Sequence, residues 1–150
     1  MYVNDRYFYM KVLKVTSNLC IISPAMGGTS GVLLELFFRK MSTTLSRYES
    51  IGTTEMCQAF QAGVEAISLY GGATVGARTM LDALIPAANS LVSTGSLQDA
   101  ARVAQVGADG TAQMDHASAG RSNYLSAETL HGTPDPGAVA VSIVFHALSS

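Results

Sequence analysis

Four short stretches of this 150-residue chain carry residue types that could do chemistry. The first is Met26-Gly27-Gly28-Thr29-Ser30-Gly31, running into the apolar Val32-Leu33-Leu34-Glu35-Leu36-Phe37-Phe38. Adjacent glycines let the backbone turn tightly and approach another group closely. Thr29 and Ser30 bring hydroxyls to the place where a helix would begin. The first amides of a helix lack intrahelical acceptors, and the aligned peptide dipoles put partial positive charge there. Gly27, Gly28 and Gly31 with these hydroxyls therefore make a cradle suited to a phosphate. The same residues also read as a loop and an ordinary N-cap, with Ser30 or Thr29 capping. No Gly-Lys-Ser/Thr follows, so this is not a Walker loop.

The other three stretches are Gly71-Gly72-Ala73-Thr74-Val75-Gly76-Ala77-Arg78-Thr79-Met80-Leu81-Asp82, Gly120-Arg121-Ser122-Asn123-Tyr124-Leu125 and Thr133-Pro134-Asp135-Pro136-Gly137-Ala138. Each sets glycine and a polar or cationic residue at a helix end. Arg78 stands four residues before Asp82, a spacing that favours an ion pair on a helix. Met80 suits a core. Asp135 is a strong N-cap, and Pro136 fits the first helical position after it. Tyr124 reads as packing. His116, His131 and His146 have no ligand spacing and read as surface or core histidines.

The elements that must position these stretches are helices. Leu34, Phe37, Phe38, Met41, Leu45 and Tyr48 recur at three- and four-residue steps, the period of an amphipathic helix. A turn at Gly52-Thr53-Thr54 starts a second helix with the stripe Met56, Phe60, Val64, Ile67 and Tyr70, and Gly71-Gly72 ends it. A third stripe runs Leu81, Leu84, Ile85, Ala88, Leu91, with Pro86 inside it as a kink. Ser96-Leu97-Gln98-Asp99 has the form of a capping box, followed by Leu97, Ala101, Ala104, Ala108 and Ala112 on one face. The last helix starts at Asp135-Pro136 with Val141, Val144, Phe145 and Leu148 as its expected inner face. No period-two strand stands out after residue 26. The expectation is an all-α chain of antiparallel helices with short connections, whose alternate loops fall at one end and could converge on one ligand. For residues 1–25, strand and helix both remain open.

Composition narrows the function classes. Hydrophobic residues make up 48% of the chain and charged ones 13%, which suits a globular domain with a real core. A net charge of -2 with no basic run gives no electrostatic case for nucleic acid. Cys20 and Cys57, without a CxxC or a His pair, read as buried or reduced thiols of an intracellular protein. No apolar run reaches the length of a membrane span, and the charged, aromatic start resembles no signal peptide.

The four stretches, in this order, resemble the nucleotide-binding (DhaL-like) domain of the dihydroxyacetone (glycerone) kinase family. The family pattern is a Gly-Gly-(Ser/Thr)-Ser-Gly helix start, Gly-Asp-Arg-Thr-Met-(Leu/Ile)-Asp, Gly-Arg-Ala-Ser-Tyr and a closing Asp-Pro-Gly-Ala. The matches fall at 27–31, 76–82, 120–124 and 135–138, with Ala77 in place of the common aspartate. The ending Pro134-Asp135-Pro136-Gly137-Ala138-Val139-Ala140 looks most like the ATP-using eukaryotic enzymes. The resemblance covers residues 26–150 and leaves 1–25 as a divergent segment. It implies a barrel-like bundle of antiparallel amphipathic helices with the nucleotide at one end. It also implies that Thr29 and Ser30 hold phosphates, that Gly71, Thr79 and Met80 surround the nucleotide, and that Arg121 belongs to its site. Asp135, Pro136 and Gly137 would close over it.

The family holds Mg2+ with an aspartate loop upstream of the first glycine pair, since magnesium favours carboxylate and phosphate oxygens. Here only Asp5 precedes Gly27, so no metal ligand or catalytic residue is assigned. The family's dihydroxyacetone-binding domain has no counterpart in the chain. An open barrel would expose apolar faces such as residues 34–38. Two readings follow from the resemblance. One is the ATP-binding portion of a cytoplasmic dihydroxyacetone kinase, inactive alone, with ATP/ADP, a substrate domain in cis or trans and possible self-association as its partners. The other is a non-catalytic nucleotide- or partner-binding remnant that docks on a full-length relative.

Overall fold

The structure, a computed structural model, describes residues 27–150. The expectations for residues 1–25, Cys20 among them, lie outside the described residues. The described residues form helices and no strand. The chain divides into two compact units between Gly71 and Gly72.

The described part of the first unit is a helical hairpin, α1 (Gly28–Leu45) and α2 (Thr53–Gly71). The α1 stripe buries Gly31, Phe37, Met41 and Leu45, and α2 answers with Ala59, Gly63, Val64, Ala66 and Ile67. A Cβ on Gly63 would stand 2.6 Å from the Phe37 ring, so the missing side chain is what lets the helices close on each other. Phe37 meets Phe60 edge to face at 5.2 Å between centroids, an arrangement favoured by the ring quadrupoles. Tyr48 and Tyr70 leave the stripes expected for them. Tyr48 lies beyond the end of α1 and bonds Gln58 through its hydroxyl, and Tyr70 is exposed. In residues 34–38, Phe37 is buried and the rest are half-buried, so the expected bare apolar face is largely covered. Burial pushes the half-buried Cys57 thiol upward in pKa, which keeps it protonated and unreactive near neutrality.

The second unit holds α3 (Leu81–Thr94), α4 (Leu97–Gly110), a 3-10 turn at Thr111–Gln113, another at Arg121–Tyr124, the single-turn α5 (Ala127–Leu130) and α6 (Pro136–Ser149). Helix α4 packs between α3 and α6. Its alanines Ala100, Ala101, Ala104 and Ala108 form the contact, because small side chains allow close approach. The α3 N-terminal turn lies against Gly107 near the far end of α4, where a Cβ would collide with the Asp82 carbonyl. Gln105 accepts from Ser142 at 2.7 Å and Gln98 donates to the Ser149 carbonyl, which fixes α4 and α6 as antiparallel. Half of the capping box forms: Ser96 Oγ accepts from Asp99 N–H, while Ser96 N–H turns back to Thr94 and Asp99 pairs with Arg102.

The inner face of α6 departs from the expected one. Ala138, Ser142 and Phe145 are buried, while Val144 and Leu148 are exposed. The helix is apolar nearly all round, so its periodicity could not choose a face. The hydrogen bond available to Ser142 and the fit of Ala138 did.

Candidate functional site

Antiparallel packing sets three helix ends side by side in the second unit: the start of α3, the end of α4 and the start of α6. The start of α3 is built by Asp82. Its Oδ1 accepts from Gly76 N–H at 2.6 Å and its Oδ2 from Thr79 N–H at 2.7 Å, so one buried carboxylate folds the loop before the helix. A negative group in the first turn is also favoured by the helix dipole. Thr79 Oγ1 then accepts from Leu81 N–H at 3.2 Å, satisfying an orphan helix amide.

The start of α6 is built by Asp135. Its Oδ2 accepts from Ala138 N–H at 2.9 Å, the expected cap, with Pro136 at the first helical position. Its own N–H donates at 2.7 Å to Thr111 Oγ1, at the end of α4. Its Oδ1 lies 3.5 Å from Ser122 Oγ, which brings the turn carrying Arg121 to the same corner. A Cβ on Gly137 would stand 3.2 Å from Met80 Cβ and 3.0 Å from Asp135 Oδ2. The absent side chain at 137 thus lets the α6 start lie on Met80. Thr79, Met80, Arg121, Asp135, Pro136 and Gly137 therefore share one neighbourhood. Met80 and Thr79 are half-buried and Arg121 is exposed, so apolar, hydroxyl and cationic groups are offered together.

In the first unit Gly27, Gly28, Thr29, Ser30, Gly31 and Gly71 form a second group. Gly27 and Gly28 both have φ near +60°, a backbone that glycine adopts without steric cost. The N-cap of α1 is Gly27 with no side-chain cap, so the expected capping by Thr29 or Ser30 does not occur. Both residues lie inside the first turn, exposed. Gly71 sits against Leu33, 3.5 Å from a Cβ placed there, which puts the end of α2 beside the start of α1.

The DAK2 domain family model matches residues 9–150. The chain belongs to the DAK2 domains of the dihydroxyacetone kinase family. It is 41% identical over 129 residues to the dihydroxyacetone kinase of Citrobacter freundii, covering 85% of this chain and 22% of that protein. It is 37% identical over 131 residues to the human triokinase/FMN cyclase, covering 82% and 22%. The native crystal structure of the C. freundii kinase superposes with a TM-score of 0.74 at 34% identity, covering 92% of this chain and 23% of that one. The complex of that kinase with AMP-PNP and Mg2+ superposes at 0.62 with 36% identity, covering 82% and 20%. The chain thus spans less than a quarter of the length of these relatives. The all-helical fold of this DAK2 domain is that of the matching part of the kinase.

Two further readings made from this DAK2 domain's sequence are corrected by its geometry. Arg78 does not pair with Asp82. It precedes α3 at φ 57°, so the four-residue helical spacing does not apply, and both Asp82 oxygens are taken by loop amides. Arg78 Nη2 instead donates to the carbonyls of Thr133 at 2.6 Å and Leu130 at 3.3 Å. Tyr124 does not pack; it is 87% exposed. Sequence reasoning also missed the support given by Asp82, Thr111 and Ser122. An acidic residue in the first turn of a helix was a usable signal for Asp82. Thr111, ending an alanine-rich helix, gave none.

His116, His131 and His146 are exposed, as one of the two expectations had it, and His131 meets Asp115 at 2.8 Å. Among the described residues no group of three or more His, Cys, Asp or Glu could hold a metal ion, and no helix is long and apolar enough to cross a membrane.

Proposed function

We propose that this chain is the ATP-binding portion of a dihydroxyacetone (glycerone) kinase, serving transfer of the ATP γ-phosphoryl group to dihydroxyacetone or glyceraldehyde in glycerol catabolism. The observation that carries the reading is the convergence of Met80, Gly137, Asp135 and the Arg121 turn at one end of the second unit. A nucleotide needs such a mixture: an apolar surface for the base and donors for the phosphates. Met80 and Thr79 would meet the nucleoside, Asp135, Pro136 and Gly137 would close over it, and the exposed Arg121 would reach phosphate oxygens. Within the first unit, taken by itself, Thr29 and Ser30 on the glycines 27, 28 and 31 are the residues we assign to phosphate binding, with Gly71 beside them. The AMP-PNP complex of the C. freundii kinase supports ATP as the ligand class.

The described residues do not fit a magnesium site, since they offer no carboxylate cluster. Magnesium ligands and the dihydroxyacetone-binding domain would come from sequence beyond the four stretches, in cis or in trans. We read residues 26–150 as the nucleotide domain, 1–25 as a divergent segment, the protein as cytoplasmic and capable of self-association, and the isolated chain as inactive.

Thermal unfolding with and without Mg-ATP tests the reading. A ligand bound only by the folded form stabilises it by about 2.7 kcal/mol at a hundredfold excess over its Kd, a rise of several degrees in Tm. The expected result is that rise, with ADP formed only after a dihydroxyacetone-binding domain is added. An unchanged Tm at high ATP would leave the partner-binding remnant as the better reading.

A further inference from the structure

We infer that Arg78 is the positioning residue of the nucleotide end of the second unit. Its buried guanidinium fixes the loop before α3 against the loop before α6, and so sets Thr79 and Met80 against residues 135–137. The inference rests on the nucleotide reading above and goes beyond it, because Arg78 itself touches neither the proposed nucleoside nor its phosphates.

Three observations carry it. Arg78 is 2% exposed, yet among the described residues it has no carboxylate partner. Its acceptors are two backbone carbonyls, those of Leu130 and Thr133, and its Nε–H has no acceptor among the described residues. A buried charge without a counter-charge costs free energy, and an apolar side chain of similar volume commonly serves stability as well or better. Its backbone is the second cost: φ 57° is the left-handed region, which a residue with a Cβ enters only under constraint from its surroundings. Two penalties at one residue call for a role other than filling space.

The third observation is what the two carbonyls belong to. Thr133 lies two residues before Asp135, and Leu130 ends α5, so the guanidinium grips the only covalent approach to the α6 start from the N-terminal side. On its own side of the loop, Arg78 is followed at once by Thr79 and Met80. Asp82 pins Gly76 and Thr79 from within α3, the Ala77 carbonyl accepts from Ser118 N–H at 3.2 Å, and Thr111 pins Asp135 from α4. The Arg78 side chain hydrogen-bonds one of these held loops directly to the other. The planar guanidinium can serve two carbonyls from one nitrogen in a fixed direction, which a lysine ammonium on a flexible stem does less well.

The test is calorimetric binding of ATP and of ADP to the whole chain and to Arg78→Met, Arg78→Lys and Arg121→Ala, each well below its own Tm. In a fully folded protein a merely structural residue leaves Kd alone. Positioning predicts that Arg78→Met weakens ATP and ADP by the same factor, about tenfold. Arg78→Lys should recover part of that, while Arg121→Ala should lose more on ATP than on ADP. A folded Arg78→Met that binds both nucleotides like the parent overturns the inference. So does a loss confined to ATP, which would make Arg78 a phosphate ligand. Failure of both Arg78 variants to fold would make it a folding residue only and also overturn the proposal. If the parent chain binds neither nucleotide, the nucleotide reading itself falls first.

Discussion

The Asp82 carboxylate accepts from two amides of the preceding loop while being 2% exposed. Replacing it with alanine leaves Gly76 and Thr79 N–H without their acceptor; the half-buried Thr79 amide then costs roughly 1–3 kcal/mol, while the exposed Gly76 amide can turn to water. Asp82→Ala should therefore lower the stability read from urea unfolding by about 1–3 kcal/mol, with the m-value unchanged. A loss under 1 kcal/mol would show that solvent replaces the carboxylate. The types of the site residues were legible at this scale: Asp135 caps as its type and the following proline required. Partners were less legible. The Arg78 to Asp82 spacing implies a pair only if both residues are helical, and the positive φ at 78 breaks that condition. The carbonyls that Arg78 meets, at Leu130 and Thr133, are more than fifty residues away, where no local pattern reaches.

Proline and glycine act as a pair in the α3–α4 contact. Pro86 lies inside α3 and has no N–H to offer the carbonyl four residues earlier, that of Asp82. That same carbonyl faces Gly107 of α4 more closely than any Cβ permits. The carbonyl freed by Pro86 thus lies under Gly107, a position of α4 with no side chain, a setting in which a Cα–H···O contact can form. Gly107→Ala must push α3 and α4 apart or bend one of them, at a cost of roughly 1–3 kcal/mol. Gly110→Ala, with nothing within 4 Å of its Cβ, should be neutral or mildly stabilising. Equal effects in thermal unfolding would remove the close approach as the cause. The helices themselves were legible because their stripes repeat over several turns. The exceptions are residues such as Val144 and Leu148, on a helix too uniformly apolar for its pattern to choose an inward side.

Across the whole molecule, the basic residues of the described part differ sharply in setting. Arg39, Lys40 and Arg102 lie within long helices, Arg78 is buried, and Arg47 and Arg121 stand exposed between the long helices. Arg121 occupies a 3-10 turn flanked by Gly120 at φ 74°, a segment short enough to enter a protease cleft without unfolding its neighbours. Trypsin acting on the native protein should therefore cut after Arg47 and Arg121 and spare Arg78. Early cleavage after Arg78, mapped by mass spectrometry, would mean that its loop opens freely. The nick after Arg121 has a further consequence. Residues 122–150 would still be held by the Asp135–Thr111 bond and the α4–α6 face, so the cut chain should run as one species in a sizing column and separate only in denaturant. The second unit would then behave as two peptides that remember one fold, and its halves could be exchanged between differently labelled copies to report on how strongly that face holds.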